Sequence, residues 1–204
     1  MRKCTKAIRL LLFLAVMMSS GQYLHAQKRD RLITIIRSGM RESMSQPDGS
    51  LIFTNLSVVE VIGFSLAGAS IKPGQSFEAD DDWLTKLRVK VKNISGASIS
   101  HIRMSFALPE AKFVKDGRRY SMGLSLEYKA GARATPESPE LKVISPGDEV
   151  ELVYLVDSSL PLTQEIANKT GVTSITLLLY GGDVTAFFGD GRIWRGSNLP
   201  VGKQ

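Results

Sequence analysis

The sequence predicts an all-β protein built as a sandwich of two antiparallel sheets with one short crossover helix, behind an amino-terminal signal peptide. Two features of the 204-residue chain carry this prediction. Short segments after about residue 55 alternate between apolar and polar residues, which is the period of a strand with one buried face. Turn residues separate these segments at short intervals, as in two-sheet β-proteins.

Residues 1–26 have the three-part pattern of a secretory signal peptide. Their basic residues are Arg2, Lys3, Lys6 and Arg9. Residues 10–18 (LLLFLAVMM) are uninterruptedly apolar, and the small residue Ala26 precedes Gln27. The apolar run is under half of the roughly 20 residues that a spanning helix needs. We therefore expect cleavage between Ala26 and Gln27 and export to the periplasm or beyond; an uncleaved membrane anchor is the alternative.

Removal of the signal changes what the composition implies. The whole chain has 26 Lys and Arg against 20 Asp and Glu, but four basic residues lie in the signal, so the excess falls from six to two. This near-neutral balance argues against nucleic acid as a partner. Cys4 is the single cysteine, so the remaining chain can form no disulfide and depends on its core. The mature part also lacks an apolar run of membrane-spanning length.

Residues 27–55 are predicted as an amino-terminal arm that is partly mobile. The segment RLITIIR (31–37) is a candidate strand that either joins the sheet or lies loose. The polar segment SGMRESMSQPDGS (38–50) is expected to be a mobile loop.

Residues 56–196 are predicted as the sandwich domain. The apolar positions of its alternating strands are Ile62, Phe64 and Leu66; Leu87, Val89 and Val91; Ile102, Met104, Phe106 and Leu108; Met122, Leu124, Leu126 and Tyr128; and Val150, Leu152, Tyr154 and Val156. Pro109 is expected to end the third of these strands. We expect Val89, Phe106, Leu152 and Leu177 to point into one core.

The last part of the chain contains the one predicted helix and the closing strands. Leu160–Lys169 has proline at its second position and glycine just past its end, which predicts a short crossover helix. The segment ITLLLY (175–180) is apolar on both faces and predicts a central strand. Residues 184–194 predict a hairpin around the turn GDGR. Residues 197–204 are left as a carboxyl-terminal tail.

Several turn and strand signatures carry a resemblance. The segment LRVKVKNISGASISHIRMSF (87–106) resembles a strand-turn-strand found in many bacterial exported immunoglobulin-like domains. Together with PGQSFEADDDWLTKL (73–87), SPGDEVELVYL (145–155) and FFGDGRIWRG (187–196), it looks like a group of uncharacterised exported bacterial proteins, over roughly residues 57–196. The resemblance implies an immunoglobulin-like sandwich and carries over no functional residue.

The sequence predicts no catalytic residue, no metal ligand and no cofactor. His101 is the one histidine after residue 26, and its polar neighbours predict a solvated position on an outward face. Nucleophilic catalysis needs a nucleophile, a base and an orienting acid together, and zinc needs several histidines or cysteines. A glycan-active hydrolase with a carboxylate pair is the enzymatic alternative, although nothing selects such a pair.

Two surface features have both a binding and a structural interpretation. The basic side chains Arg88, Lys90, Lys92, Arg103, Arg118 and Arg119 would suit an acidic envelope polymer or lipid head groups. We expect them instead to form a solvated sheet face. Trp83 and Trp194 would suit sugar stacking, but we expect them to pack at the edge of the core.

Asp80, Asp81 and Asp82 are three successive carboxylates that repel one another unless something offsets their charge. A calcium ion is one candidate, with Asp190 as a further ligand. Consecutive aspartates lack the spacing of a calcium loop, so we expect one of them to cap the turn or helix that follows.

Two functions from different classes stay open. The first is a non-catalytic interaction or structural module of the cell envelope, which binds another envelope or extracellular protein. The second is a carbohydrate- or ligand-binding sandwich module, assisted or not by calcium. A coplanar exposed pair of aromatic rings beside a groove would favour the second, and an open strand edge or flat sheet face the first. The oligomeric state is open.

Overall fold

The computed structural model describes residues 28–37, 42–54, 57–133, 136–155, 171–179 and 184–196. Five predictions lie outside these residues: the signal peptide, its cleavage after Ala26, the crossover helix at Leu160–Lys169, Val156 and the tail at 197–204. The described residues form β-strands and one short helix arranged in two sheets, so the all-β prediction is confirmed for them.

The elements follow in chain order. The strands are β1 (Arg29–Arg37), β2 (Glu42–Ser45), β3 (Leu51–Thr54), β4 (Val59–Leu66), β5 (Ala69–Ile71), β6 (Ser76–Ala79), β7 (Leu87–Asn93), β8 (Ile99–Lys115), β9 (Arg118–Lys129), β10 (Glu149–Leu152), β11 (Ser174–Leu179), β12 (Val184–Phe188) and β13 (Ile193–Gly196). The helix α1 (Trp83–Lys86) lies between β6 and β7. Nine strands make a large sheet, and β10, β7, β4 and β5, in that order, make a small one.

The large sheet branches at β8. One edge of β8 pairs along most of its length with β9, and the other edge pairs first with β12 and then with β11. One arm continues from β12 through β13 and β2 to β3, and the other from β11 through β1 to β6. The central position predicted for residues 175–180 is confirmed by β11 for 175–179, Tyr180 lying outside the described residues, and the closing hairpin is confirmed by β12 and β13.

The prediction that Pro109 ends the third strand is wrong. A bulge between Leu108 and Lys112 absorbs the proline, and the pairing with β9 resumes from Lys112 to Lys115. Proline has no amide N–H to donate to the ladder, and a bulge is one of the few places where a strand tolerates it. The carboxylate of Glu110 in this bulge accepts hydrogen bonds from Thr173 and Ser174, which ties β8 to the start of β11.

One core cluster contains buried residues of both sheets, the four residues predicted for the core among them. Val89, Phe106, Leu152 and Leu177 are each at most 2% exposed, as predicted. Trp83 and Trp194 are 1% and 0% exposed, so their expected role in core packing is confirmed. Val153, which follows β10, pairs with Glu127 of β9 and so connects the edges of the two sheets.

In β4 the alternation predicted for Ile62, Phe64 and Leu66 is wrong at its first position. Val61 pairs with Val91 and Gly63 pairs with Lys90, so Ile62 is the extra residue of a β-bulge. The bulge turns Ile62 outward, where it is 43% exposed, while Phe64 stays buried. A strict period of two assumes an unbroken ladder, and one inserted residue shifts the register.

The segment predicted as an amino-terminal arm contributes β1, β2 and β3 to the large sheet. β1 is paired on both sides, antiparallel with β6 and parallel with β11, so the large sheet is not purely antiparallel. β2 lies inside residues 38–50, which were expected to form a loop, and that expectation is wrong for these four residues. Their ladder partners on β13 and β3 make them a strand despite their polar composition.

We expect Gly196→Ala to destabilise the fold, because a Cβ at Gly196 would overlap the indole ring of Trp194. Forcing extra volume into a packed core costs about 1–3 kcal/mol. Gly63→Ala is the matched control, since a Cβ there has no atom within 4 Å, and we expect a change under about 0.5 kcal/mol. Urea unfolding compares the two variants. Equal midpoints would contradict the placement of Trp194 over Gly196.

Candidate functional site

A tight turn joins β2 to β3 and sets their register. Gly49 has a φ of 84° and donates its N–H to the carbonyl oxygen of Gln46 at 3.0 Å. A three-residue loop that ends in a left-handed glycine is a common hairpin connection. The Asp48 carboxylate accepts a hydrogen bond from the Ser50 N–H at 2.8 Å, which lowers the pKa of Asp48. The turn places Ile52 opposite Met44.

β3 ends one arm of the large sheet, and β2 is its one strand neighbour within the described ranges. The side chains of Leu51, Ile52 and Phe53 are 53%, 52% and 64% exposed. Successive side chains of a strand point to opposite faces, so both faces of β3 present apolar groups to water. Charges or prolines usually protect an exposed edge from pairing with another chain, and β3 has neither. This edge is therefore suited to strand addition.

On the arm that ends at β3, the face that carries core residues becomes exposed towards the edge. Met44 pairs with Ile52 on one side and with Trp194 on the other. Residues directly opposite each other in a ladder share a face, so Ile52 lies on the same face as the fully buried Trp194. The exposure rises along this row from Trp194 through Met44 to Ile52. The burial of this face therefore ends between β13 and β3.

A groove of about 470 Å³ lies beside this uncovered end. Its lining residues come from β2, from residues 57–58, from the β7–β8 turn and from the end of the β12–β13 hairpin, and are Met44, Ser57, Val58, Ile94, Ser95, Gly96, Ala97, Phe188 and Arg192. The Arg192 guanidinium lies 5.0 Å from the Phe188 ring centroid and 2.8 Å from a carboxylate oxygen of Asp190. The groove is thus largely apolar, with its one charged lining residue already paired.

His101 is not the solvated residue that was predicted. Its Nε2 lies 2.9 Å from the Glu127 carboxylate, and its ring stacks on Phe187 with centroids 4.7 Å apart. The side chain is only 19% exposed. Its polar neighbours in sequence do place it on the outer face, but the covering partners come from β12 and β9, which sequence neighbours cannot reveal. The hydrogen bond from His101 lowers the pKa of Glu127 against the opposing effect of burial.

The predicted basic stripe is not one surface. Arg88, Lys90 and Lys92 lie on β7 in the small sheet, whereas Arg103 lies on β8 in the large one. The Lys90 ammonium is 2.6 Å from the carboxylate of Glu149, which raises the pKa of Lys90. Arg118 is exposed at the β8–β9 turn, and the side chain of Arg119 lies outside the described atoms. Acidic neighbours on β10 thus offset the charge of β7, which supports the solvated-face interpretation.

The successive aspartates are balanced by cations. Arg31 donates to a carboxylate oxygen of Asp81 at 2.7 Å, and the Lys86 ammonium lies 2.8 Å from Asp82 and 3.5 Å from Asp80. The prediction of a side-chain cap is wrong, because no side chain caps α1 by a hydrogen bond. The Asp82 backbone, at φ −93° and ψ 12°, lacks the extended conformation that an N-cap residue normally has.

The remaining candidate residues form no further binding site among the described residues. The carboxylate of Asp190, considered above as a calcium ligand, accepts hydrogen bonds from the Arg192 side chain at 2.8 Å and from the Arg192 backbone N–H at 3.1 Å. Within the described ranges, no group of three or more histidine, cysteine or acidic residues is placed to hold a metal ion. No helix in this part of the chain is long and apolar enough to cross a membrane.

Comparison with known proteins gives no match: no family model, no curated protein and no solved structure is similar to this chain. The candidate site therefore stands on its own geometry. Sequence reasoning missed its residues, since Leu51, Ile52 and Phe53 fell inside the predicted arm. The available signal was the turn Pro47-Asp48-Gly49, followed two residues later by three consecutive apolar residues.

We expect the stability provided by Glu127 to depend on pH. Because its folded pKa is lowered, the ionised carboxylate stabilises the fold above the unfolded value of about 4.3. This contribution disappears as the pH falls through the folded pKa. Glu127→Gln should therefore lower the free energy of unfolding by roughly 1 kcal/mol at pH 6, with a shrinking difference below about pH 4.5. Urea unfolding between pH 6 and 3 measures this difference.

Glu137→Gln is the control for this prediction, because Glu137 is exposed and should change the urea midpoint little at any pH. A Glu127→Gln midpoint equal to that of the unchanged protein at pH 6 would contradict a stabilising His101–Glu127 pair.

Proposed function

We propose that this protein is a non-catalytic interaction module of the cell envelope, which is exported and binds an extended strand of a protein at the edge of β3. The observation that carries the proposal is the exposure of Leu51, Ile52 and Phe53 on a strand that has no ladder partner on one side among the described residues. Export rests on the signal-peptide pattern of residues 1–26.

The backbone of β3 offers groups that a partner strand can use. The Gln46 N–H donates to the Ser50 carbonyl at 2.8 Å, so these residues form a hydrogen-bonded pair. In an antiparallel ladder such pairs alternate, which makes Met44 and Ile52 the next bonded pair. Leu51 and Phe53 then direct their N–H and C=O groups away from β2. In strand addition these main-chain groups provide affinity, and the alternate side chains provide specificity.

The competing interpretation as a carbohydrate-binding module has less support. It needs a coplanar pair of exposed aromatic rings beside a groove, whereas Trp83 and Trp194 are buried and Phe53 is the one aromatic residue exposed on β3. The stacked pair of His101 and Phe187 presents its rings to each other, with the histidine largely covered. The groove near β3 is lined by apolar and small residues, which suits an apolar side chain of a bound protein better than sugar hydroxyls.

The test is capture from the organism's own envelope extract with a tagged mature protein. We expect Leu51→Lys combined with Phe53→Lys to lose the bound protein, because charged side chains protect an edge strand from pairing. Val143→Lys is the matched control, since Val143 is 51% exposed and lies outside the strands. Circular dichroism and urea midpoints should show that all proteins are folded equally.

Two outcomes would count against this proposal. Capture of the same protein by the double variant would place the binding surface elsewhere. Recovery of glycan without protein would favour the carbohydrate-binding alternative.

A further inference from the structure

We infer that the strand added to β3 is β3 of a second copy of this chain, paired antiparallel about a two-fold axis at Ile52. The inference rests on the proposed strand addition at this edge and names its occupant. An isologous contact of this kind uses the same surface of both copies.

The register follows from the open backbone groups. Leu51 and Phe53 each direct one N–H and one C=O to the open side, as the alternation of bonded pairs requires. A two-fold axis at Ile52 places Leu51 of one copy opposite Phe53 of the second copy, and the reverse. Each of these two pairs exchanges two N–H···O=C bonds, so the contact forms four hydrogen bonds. A register centred on Leu51 or Phe53 would bring only one of the two residues opposite itself and lose the second full pair.

The side chains are compatible with this register on both faces. On the outer face, Leu51 of each copy lies beside Phe53 of the other copy. On the inner face, the two Ile52 side chains meet. Aliphatic and aromatic side chains placed directly opposite each other stabilise a ladder. In each copy the contact thus covers three side chains that are more than half exposed in the single chain.

The charge pattern favours a second copy over an unrelated strand. Pairing a strand with itself sets like charges against each other wherever the strand is charged. No charged residue lies between Asp48 and Glu60 in sequence. Self-pairing of β3 therefore sets no like charges against each other.

The rest of the large sheet supports closure at two copies. Its second arm ends at β6, where Glu78 is exposed and α1 follows closely. The free side of β9 is tied to the small sheet through the pairing of Glu127 with Val153. β3 is thus the one uncharged end of the large sheet among its described strands. An isologous pair uses the β3 edge of both copies, so no β3 edge is left to bind a third copy.

The experiment uses sedimentation equilibrium on the mature protein over a concentration series, with two double variants that remove the same two side chains. Leu51→Lys with Phe53→Lys places lysine opposite lysine in both pairs. Leu51→Glu with Phe53→Lys places glutamate opposite lysine in both pairs. We expect a dimer for the unchanged protein, a dissociation constant raised at least about tenfold for the lysine pair, and a dimer for the opposite-charge pair.

Val143→Lys should remain dimeric as the control for added surface charge. If the opposite-charge variant is as monomeric as the lysine variant while the unchanged protein is a dimer, the β3–β3 register is overturned. If the unchanged protein is monomeric throughout but captures another envelope protein through β3, the second copy is excluded and the proposed function survives. A monomer that captures nothing through β3 overturns both.

Discussion

The described strands form one sheet of nine and one of four, and this mismatch determines which parts of the large sheet meet water. On the arm that ends at β6, α1 compensates for the missing cover. The buried Arg31 guanidinium there donates to the carbonyl oxygens of Ala79 and Val172 and to Asp81, and lies 5.8 Å from the Trp83 ring. Burying an arginine is tolerable only when its donors are paired in this way. The arm that ends at β3 has no such element among the described residues.

The arm that ends at β6 is covered and the arm that ends at β3 is not, and this difference is the basis for proposing an interaction role. Elsewhere several described charges are paired, as Lys90 is with Glu149 and Lys86 with Asp82. β3 combines open main-chain groups with apolar side chains on both faces. Natural edge strands rarely keep that combination uncovered, because it invites pairing with another chain. A partner strand would cover the end of the large sheet at β3, as α1 covers the end at β6.

Local sequence pattern predicted several of the strands, and non-local pairing decided the rest. Alternation located β7, β8, β9 and the core residue Phe106, because burial of one face imposes that period. It failed at Ile62 and Pro109, where bulges interrupt the ladder. The turn at Asp116 and Gly117, both with positive φ, was not predicted, although Asp-Gly is typical of a two-residue hairpin loop. The partners of His101 and the open edge at β3 could not be predicted, since neither follows from neighbours in sequence.

The central claim is that Leu51 and Phe53 have open amides in one copy, whereas the Ile52 amide is bonded to β2. Residue-resolved amide hydrogen exchange by NMR, on dilute and concentrated samples of the mature protein, measures this directly. The account predicts fast exchange at Leu51 and Phe53 in the dilute sample, marked slowing on concentration, and no change at Ile52. Exchange at Leu51 and Phe53 that is equally fast at both concentrations would contradict self-pairing, and slow exchange already in the dilute monomer would contradict an open edge.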